Sequence, residues 1–190
     1  MRHLRQTPRP PVRSLKVFED SAGTGRCEGN DSTSATEPGH CGVFGEDGMN
    51  ILKFVPMVQE LARLSKDPST KVGAAIFGPG MEIRATGWNG FPRGVIDSEE
   101  RLNDRPTKYL YIAHAEFNAV MNAARSGVST DGCSLLVTAL HPCNICAMAV
   151  IQSGIKTVYA PLPKDDERWA DKFEIAATMF REAGVVVEFY

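Results

Sequence analysis

Ser134-Leu135-Leu136-Val137-Thr138-Ala139-Leu140-His141-Pro142-Cys143-Asn144-Ile145-Cys146-Ala147-Met148-Ala149-Val150-Ile151-Gln152-Ser153-Gly154-Ile155-Lys156-Thr157-Val158-Tyr159-Ala160 is the stretch on which the fold turns. Residues 134–138 read as a short apolar strand, 142–152 as a helix opened by Pro142, and 156–160 as a second strand. Strands alternating with helices argue for a layered α/β domain whose second half has parallel neighbours.

Outward from this unit the alternation continues. Ile51, Leu52, Phe54, Val55, Val58, Leu61, Ala62 and Leu64 recur at roughly helical spacing, with Pro56 expected to kink the element and Asp67-Pro68 to stop it. Residues 71–77 and 83–88 are strand-like, and Gly78-Pro79-Gly80 between them predicts a hairpin. A polar stretch over 89–108 carries no element in this reading. A helix over 114–125 follows, and after the opening unit come a helix over 168–182, ended by Gly184, and a last strand over 185–190. The predicted order is αββαβαβαβ, with no repeat at fixed period.

Composition sets bounds on this picture. With 190 residues and 43% hydrophobic content, the chain can bury one good core. A formal charge of -2 leaves no overall electrostatic footprint for nucleic acid, so a small-molecule partner is the expectation. No apolar stretch approaches the ~18 residues of a membrane span. Five cysteines, two of them as Cys-x-x-Cys, fit a reducing, cytoplasmic setting. Residues 1–48 read differently: a start rich in Arg and Pro, then a segment rich in Gly, Ser, Thr and Asp. Neither part can bury enough apolar surface to order itself, so a disordered extension is expected, with the domain over 49–190. Cys27 and Cys41 fall in that extension and are expected to be free thiols.

The chemistry lies in His114-Ala115-Glu116 and Pro142-Cys143-Asn144-Ile145-Cys146. A structural zinc site closes its tetrahedron with four protein ligands, whereas a catalytic site keeps three and leaves the fourth position to water. His114, Cys143 and Cys146 make three, and Glu116 is a carboxylate left over. Pro142 in a first helical turn would place Cys143 and Cys146 at i and i+3 on one face, where the helix N-terminus favours thiolate. Each half alone has a plainer reading: a capping histidine, a redox pair or half of a structural zinc knuckle. Together, His-x-Glu and Pro-Cys-x-x-Cys opening two helices match the zinc deaminase signature. Cys133 is expected to be a small buried hydrophobe, and His141 to line the pocket.

From about Leu52 to Tyr190 the chain resembles the cytidine and deoxycytidylate deaminase superfamily. The likeness rests on residues 65–74 (Ser-Lys-Asp-Pro-Ser-Thr-Lys-Val-Gly-Ala), 87–94 (Gly-Trp-Asn-Gly-Phe-Pro-Arg-Gly), 114–119 (His-Ala-Glu-Phe-Asn-Ala) and 142–147 (Pro-Cys-Asn-Ile-Cys-Ala). The segment 87–94 brings it nearest the deoxycytidylate branch, where Tyr more often stands at the position of Trp88. That resemblance implies a three-layer α/β/α cytidine-deaminase-like fold: a central five-stranded mixed sheet flanked by helices. It implies hydrolytic deamination of a cytosine nucleotide, dCMP to dUMP, on one zinc held by His114, Cys143 and Cys146. Glu116 would move protons from the attacking water to N3 and the departing ammonia. Asn89 would hold the sugar, the Ala115 backbone N–H would meet the base carbonyl, and Lys71, Arg93 and Lys108 are candidates for the phosphate. Tyr159 and Trp169 are candidate pocket walls. No cysteine stands between Cys41 and Cys133, so the second, structural zinc cluster of many relatives is not expected. A homo-oligomer is implied as well. The competing readings are a tRNA adenosine deaminase, a free cytidine deaminase and a non-enzymatic zinc-binding protein of the same fold.

Overall fold

A computed structural model describes residues 50–163 and 167–190. The readings for residues 1–48 lie outside the described residues.

The first described element is a 3-10 turn, Ile51–Phe54, capped where the Leu52 N–H donates to Asn50 Oδ1 at 2.8 Å. Helix α1, Val55–Ala62, follows directly, and Pro56 sits in its first turn. There the missing N–H costs nothing, so Pro56 opens the helix rather than kinking it. The helix ends with Arg63 as its cap, short of the expected stop at Asp67, because Asp67 is instead a buried acceptor for the loop that follows. Strands β1, Gly73–Phe77, and β2, Ile83–Trp88, form the expected antiparallel hairpin, with Gly73 opposite Trp88.

The stretch read as loop contains two short helices, α2 (Glu99–Asn103) and α3 (Arg105–Tyr111). At five and seven residues they are too short for a period to register. Their signal is in the caps: Ser98 Oγ accepts from Arg101 N–H, and Asp104 Oδ2 accepts from Thr107 N–H. The rest follows the predicted order: α4 (Ala115–Ser126), β3 (Ser134–Val137), α5 (Asn144–Gln152), β4 (Thr157–Ala160), α6 (Glu167–Glu182) and β5 (Val186–Phe189). Gly184, with φ 68°, ends α6 as expected, and Val185 N–H turns back to Phe180 O at 2.9 Å.

The five strands form one mixed sheet in the order β2-β1-β3-β4-β5. β1 runs antiparallel to both β2 and β3, while β3, β4 and β5 are mutually parallel neighbours, as the opening stretch predicts. Ala74, Ile76, Leu135, Val137 and Val158 face one side, where they pack with Ala119 of α4, Val150 of α5 and Phe180 of α6. Ala75, Phe77 and Leu136 face the other, against Ile51 and Val58. The result is three layers. Each fully buried Leu, Ile or Phe contributes roughly 1.5–3 kcal/mol relative to exposure. Among the described residues, no helix is long and apolar enough to cross a membrane.

Two close approaches position the site. A Cβ on Gly87 would stand 2.4 Å from Ala115 O and from Ala119 N, so α4 lies directly on β2. One on Gly73 would stand 2.2 Å from Val58 O, which seats α1 on β1. The end of β2, the start of β1 and the end of β3 therefore share one sheet edge, where α4 and α5 begin.

Candidate zinc centre and cleft

His114 is the N-cap of α4 and Cys143 the N-cap of α5, both with extended backbone and neither using its side chain to cap. Pro142 consequently lies one residue before the cap, not in the first turn. Cys143 and Cys146 still share a face, because the cap and the third helical position are also three residues apart. His114 Nδ1 is 3.4 Å from the sulfur of Cys143 and 3.4 Å from that of Cys146. Bonds of about 2.3 Å to sulfur and 2.0–2.1 Å to nitrogen, at a tetrahedral angle, span an edge of about 3.6 Å. The donor set therefore fits a zinc ion, and His114, Cys143 and Cys146 could hold one.

Charge in the cluster points the same way. The Cys143 thiol is pushed down to about 3, chiefly by its hydrogen bond with Cys146 and, against burial, by His114. The Cys146 thiol is pushed far up by the same hydrogen bond, by burial and by the Glu116 charge. Two thiols in a buried site cannot both ionise without a cation between them, and a divalent ion meets that demand. Burial works against a protonated His114, but the Cys143 hydrogen bond and the Glu116 charge outweigh it and raise its pKa. Glu116 is only 3% exposed, and burial raises its carboxyl against the opposing His114 charge.

A cleft opens beside this cluster, bordered by His114, Ala115, Glu116 and Cys143 on one side and by Asn89, Ser69 and Lys108 on another. Asn89, directly after β2, is 5% exposed and held in the wall by three hydrogen bonds that leave one lone pair of its Oδ1 unused. Its Oδ1 accepts from Val72 N–H at 2.8 Å, and its Nδ2 donates to Thr70 O at 2.9 Å and to Asp67 Oδ2 at 3.4 Å. Lys108 Nζ lies 2.9 Å from Asp67 Oδ1 and donates to Ser69 Oγ at 2.6 Å, with both charged side chains 5% exposed. Trp169 and His141 border the cleft as read. The His141 ring packs near Phe173 and Phe189, with Nδ1 2.8 Å from Pro142 O. Tyr159 lies instead against the core on the opposite face of the sheet, and Cys133 is buried in the apolar core.

Lys71 and Arg93 are not brought to this cleft. The Lys71 amine donates to Ser65 O, and Arg93 donates to Asn122 Oδ1 at 2.5 Å, in a shallow depression beside Trp88 and Asn118. The family resemblance named Lys71, and the loop after Asn89 named Arg93, but their charged ends are engaged by Ser65 O and Asn122 Oδ1 instead. It missed Asp67 as the partner of Lys108, and it missed Arg105 and Tyr109, both of which border the cleft from α3. The cap residues of α3 are the signal that could have raised them.

A mixed sheet with His-x-Glu and Cys-x-x-Cys at two helix starts, meeting over a cleft, defines the zinc-binding class of nucleobase deaminases. Residues 49–161 match the cytidine and deoxycytidylate deaminase zinc-binding region, and the chain belongs to that family. It is 42% identical over 137 residues to the uncharacterized deaminase in the luxG 3′ region of Aliivibrio fischeri, covering 71% of this chain and 89% of the relative. It is 40% identical over 129 residues to human deoxycytidylate deaminase, covering 65% and 70%. The fold is similar to the dCMP deaminase of cyanophage S-TIM5 solved in complex with dCMP and dUMP. The TM-score is 0.59 at 28% identity, over 75% of this chain and 100% of that one.

Proposed function

We propose that this chain hydrolyses the exocyclic amine of a cytosine nucleotide, converting dCMP to dUMP with release of ammonia. The observation that carries the reading is the buried Glu116 carboxyl beside a three-ligand zinc set at the floor of a cleft. Similarity to relatives named deoxycytidylate deaminase, and to one solved with dCMP and dUMP, supports the nucleotide. Bound by His114, Cys143 and Cys146, zinc would supply an activated water as nucleophile toward C4 of the base. Glu116 passes one proton of the attacking water to N3 and then the second, from the hydroxyl formed on C4, to the amine, which leaves as ammonia as the C4–N bond breaks and C4=O forms. Ala115 is the first residue of α4, where a backbone N–H has no helical partner, and its N–H holds the base carbonyl. Asn89, its amide fixed by Val72 and Thr70, holds the deoxyribose.

Three further readings belong to the same proposal. The chain assembles as a homo-oligomer, acts in the cytoplasm where thiolate ligands stay reduced, and does not need residues 1–48 for catalysis. Ammonia release from dCMP, CMP, dCTP, deoxycytidine and an adenosine-containing tRNA tests the substrate. The expected result is a clear preference for dCMP. Equal rates on dCMP and deoxycytidine, or activity on tRNA alone, would sink the nucleotide assignment, and zinc bound by four protein ligands in X-ray absorption would sink the catalytic one.

A further inference from the structure

We propose that Arg105 of α3 and Lys172 of α6 form the phosphate clamp of the cleft, selecting a nucleotide over its nucleoside; this rests on the reading of the cleft as a cytosine nucleotide site. The cations around the site can be sorted by what already matches their charge. Lys108 is paired with Asp67 inside the wall, so the pair presents no net charge to a ligand. Lys71 and Arg93 lie away from the cleft, on Ser65 and Asn122. Among the described residues, Arg105 and Lys172 remain. Arg105 borders the cleft itself, and both border the depression that adjoins it at His114 and Cys143, where none of the described lining residues is acidic. Among the described residues, neither makes an ion pair with a carboxylate.

Each of the two cations is steadied by an aromatic ring of the same wall. The Arg105 guanidinium carbon lies 5.5 Å from the Tyr109 ring centroid, and its Nη2 donates to Tyr109 Oη at 3.1 Å. Lys172 Nζ stands 4.5 Å over the Trp169 ring. The two rings meet edge to face at 5.9 Å, and Trp169 in turn lies 6.0 Å from the His114 ring. A ring contact holds a cation in place without neutralising it. Two unmatched cations from different helices therefore flank one aromatic wall that leads to the metal ligands. A phosphate monoester carries close to two negative charges at neutral pH, and guanidinium and ammonium are the groups that bind it. A nucleoside would leave both cations without a partner.

The test uses the zinc-loaded full chain and its Arg105→Ala, Lys172→Ala and double variants, each confirmed to keep its zinc content and melting temperature. The ratio of kcat/KM for dCMP to that for deoxycytidine is expected to fall about 10- to 100-fold for each single substitution, through KM, because a charge-assisted phosphate contact is lost. Lys172→Arg should restore most of the ratio. An unchanged ratio, or equal falls for both substrates, overturns the clamp. A second arm measures equilibrium binding of dUMP against deoxyuridine by calorimetry, which needs no turnover. If dCMP is not deaminated at all, the catalytic reading fails while this arm still decides the clamp. A dUMP preference lost in the double variant sustains it; a preference that survives both substitutions, or none in the unmodified protein, overturns it.

Discussion

At the scale of single residues, the site separates chemistry from scaffolding. Glu116 is not needed to complete the three-ligand set, so its substitution should remove chemistry and leave the metal. Glu116→Gln is expected to retain zinc, by metal analysis, while kcat falls by roughly 10²–10⁴, the usual worth of a positioned acid and base; retained turnover would remove Glu116 from its role. Asp67 is scaffolding of another kind. Burial pushes its carboxyl up, but hydrogen bonds from Lys108, Ser69 and Thr70 outweigh this and hold it below the ordinary carboxylate range. A depressed folded value means the stabilisation is fully present above the unfolded value of about 3.9 and is lost as pH falls through the folded value. Asp67→Asn leaves Lys108 buried without a counter-charge, which costs about 3–5 kcal/mol at pH 7. Urea unfolding should show that loss, and the gap between variant and parent should narrow below pH 4. A gap independent of pH would mean that the ion pair is not the source.

At the scale of elements, α4 carries both His114 at its cap and Glu116 in its first turn, so its seat on β2 sets the site's geometry. Gly87 allows that seat, with Ala115 O and Ala119 N where a side chain would begin. Gly87→Ala must push the helix away, at a cost of about 1–3 kcal/mol for overpacking. Zinc affinity, measured by chelator competition, should fall together with stability; an unaltered affinity would show that the ligands do not depend on that contact. The elements themselves were largely legible. Strands β1 to β5 and helices α4 to α6 announce themselves through apolar runs and periodicity. Helices α2 and α3 did not, because five and seven residues make barely two turns and bury little apolar surface. Arg105 and Tyr109 enter the cleft from the unrecognised α3, so the miss in secondary structure became a miss in the site.

At the scale of the whole molecule, metal and fold are coupled, since His114 from α4 and the two cysteines of α5 meet only in the folded chain. Removing zinc with a chelator should abolish ammonia release and lower the melting temperature by several degrees, and added zinc should restore both. A melting temperature indifferent to zinc would argue that the three ligands do not hold it in the native state. A chain lacking residues 1–48 should keep full activity and stability, compared directly with the intact protein by kinetics and thermal unfolding; loss of either would give that segment a role in the domain. The sequence by itself determined the order of the five strands and the four longer helices, and the local pairing of Cys143 with Cys146 and of His114 with Glu116. Such patterns arise between near neighbours, where backbone geometry alone puts side chains on one face. The motif pair and the family resemblance anticipated that His114 meets cysteines 29 and 32 residues away, which the folded chain brings to 3.4 Å, but only the tertiary structure decided that Asp67 neutralises Lys108 across 41 residues. It also decided which cations are left to face the cleft, because that depends on packing between segments whose sequences carry no record of each other.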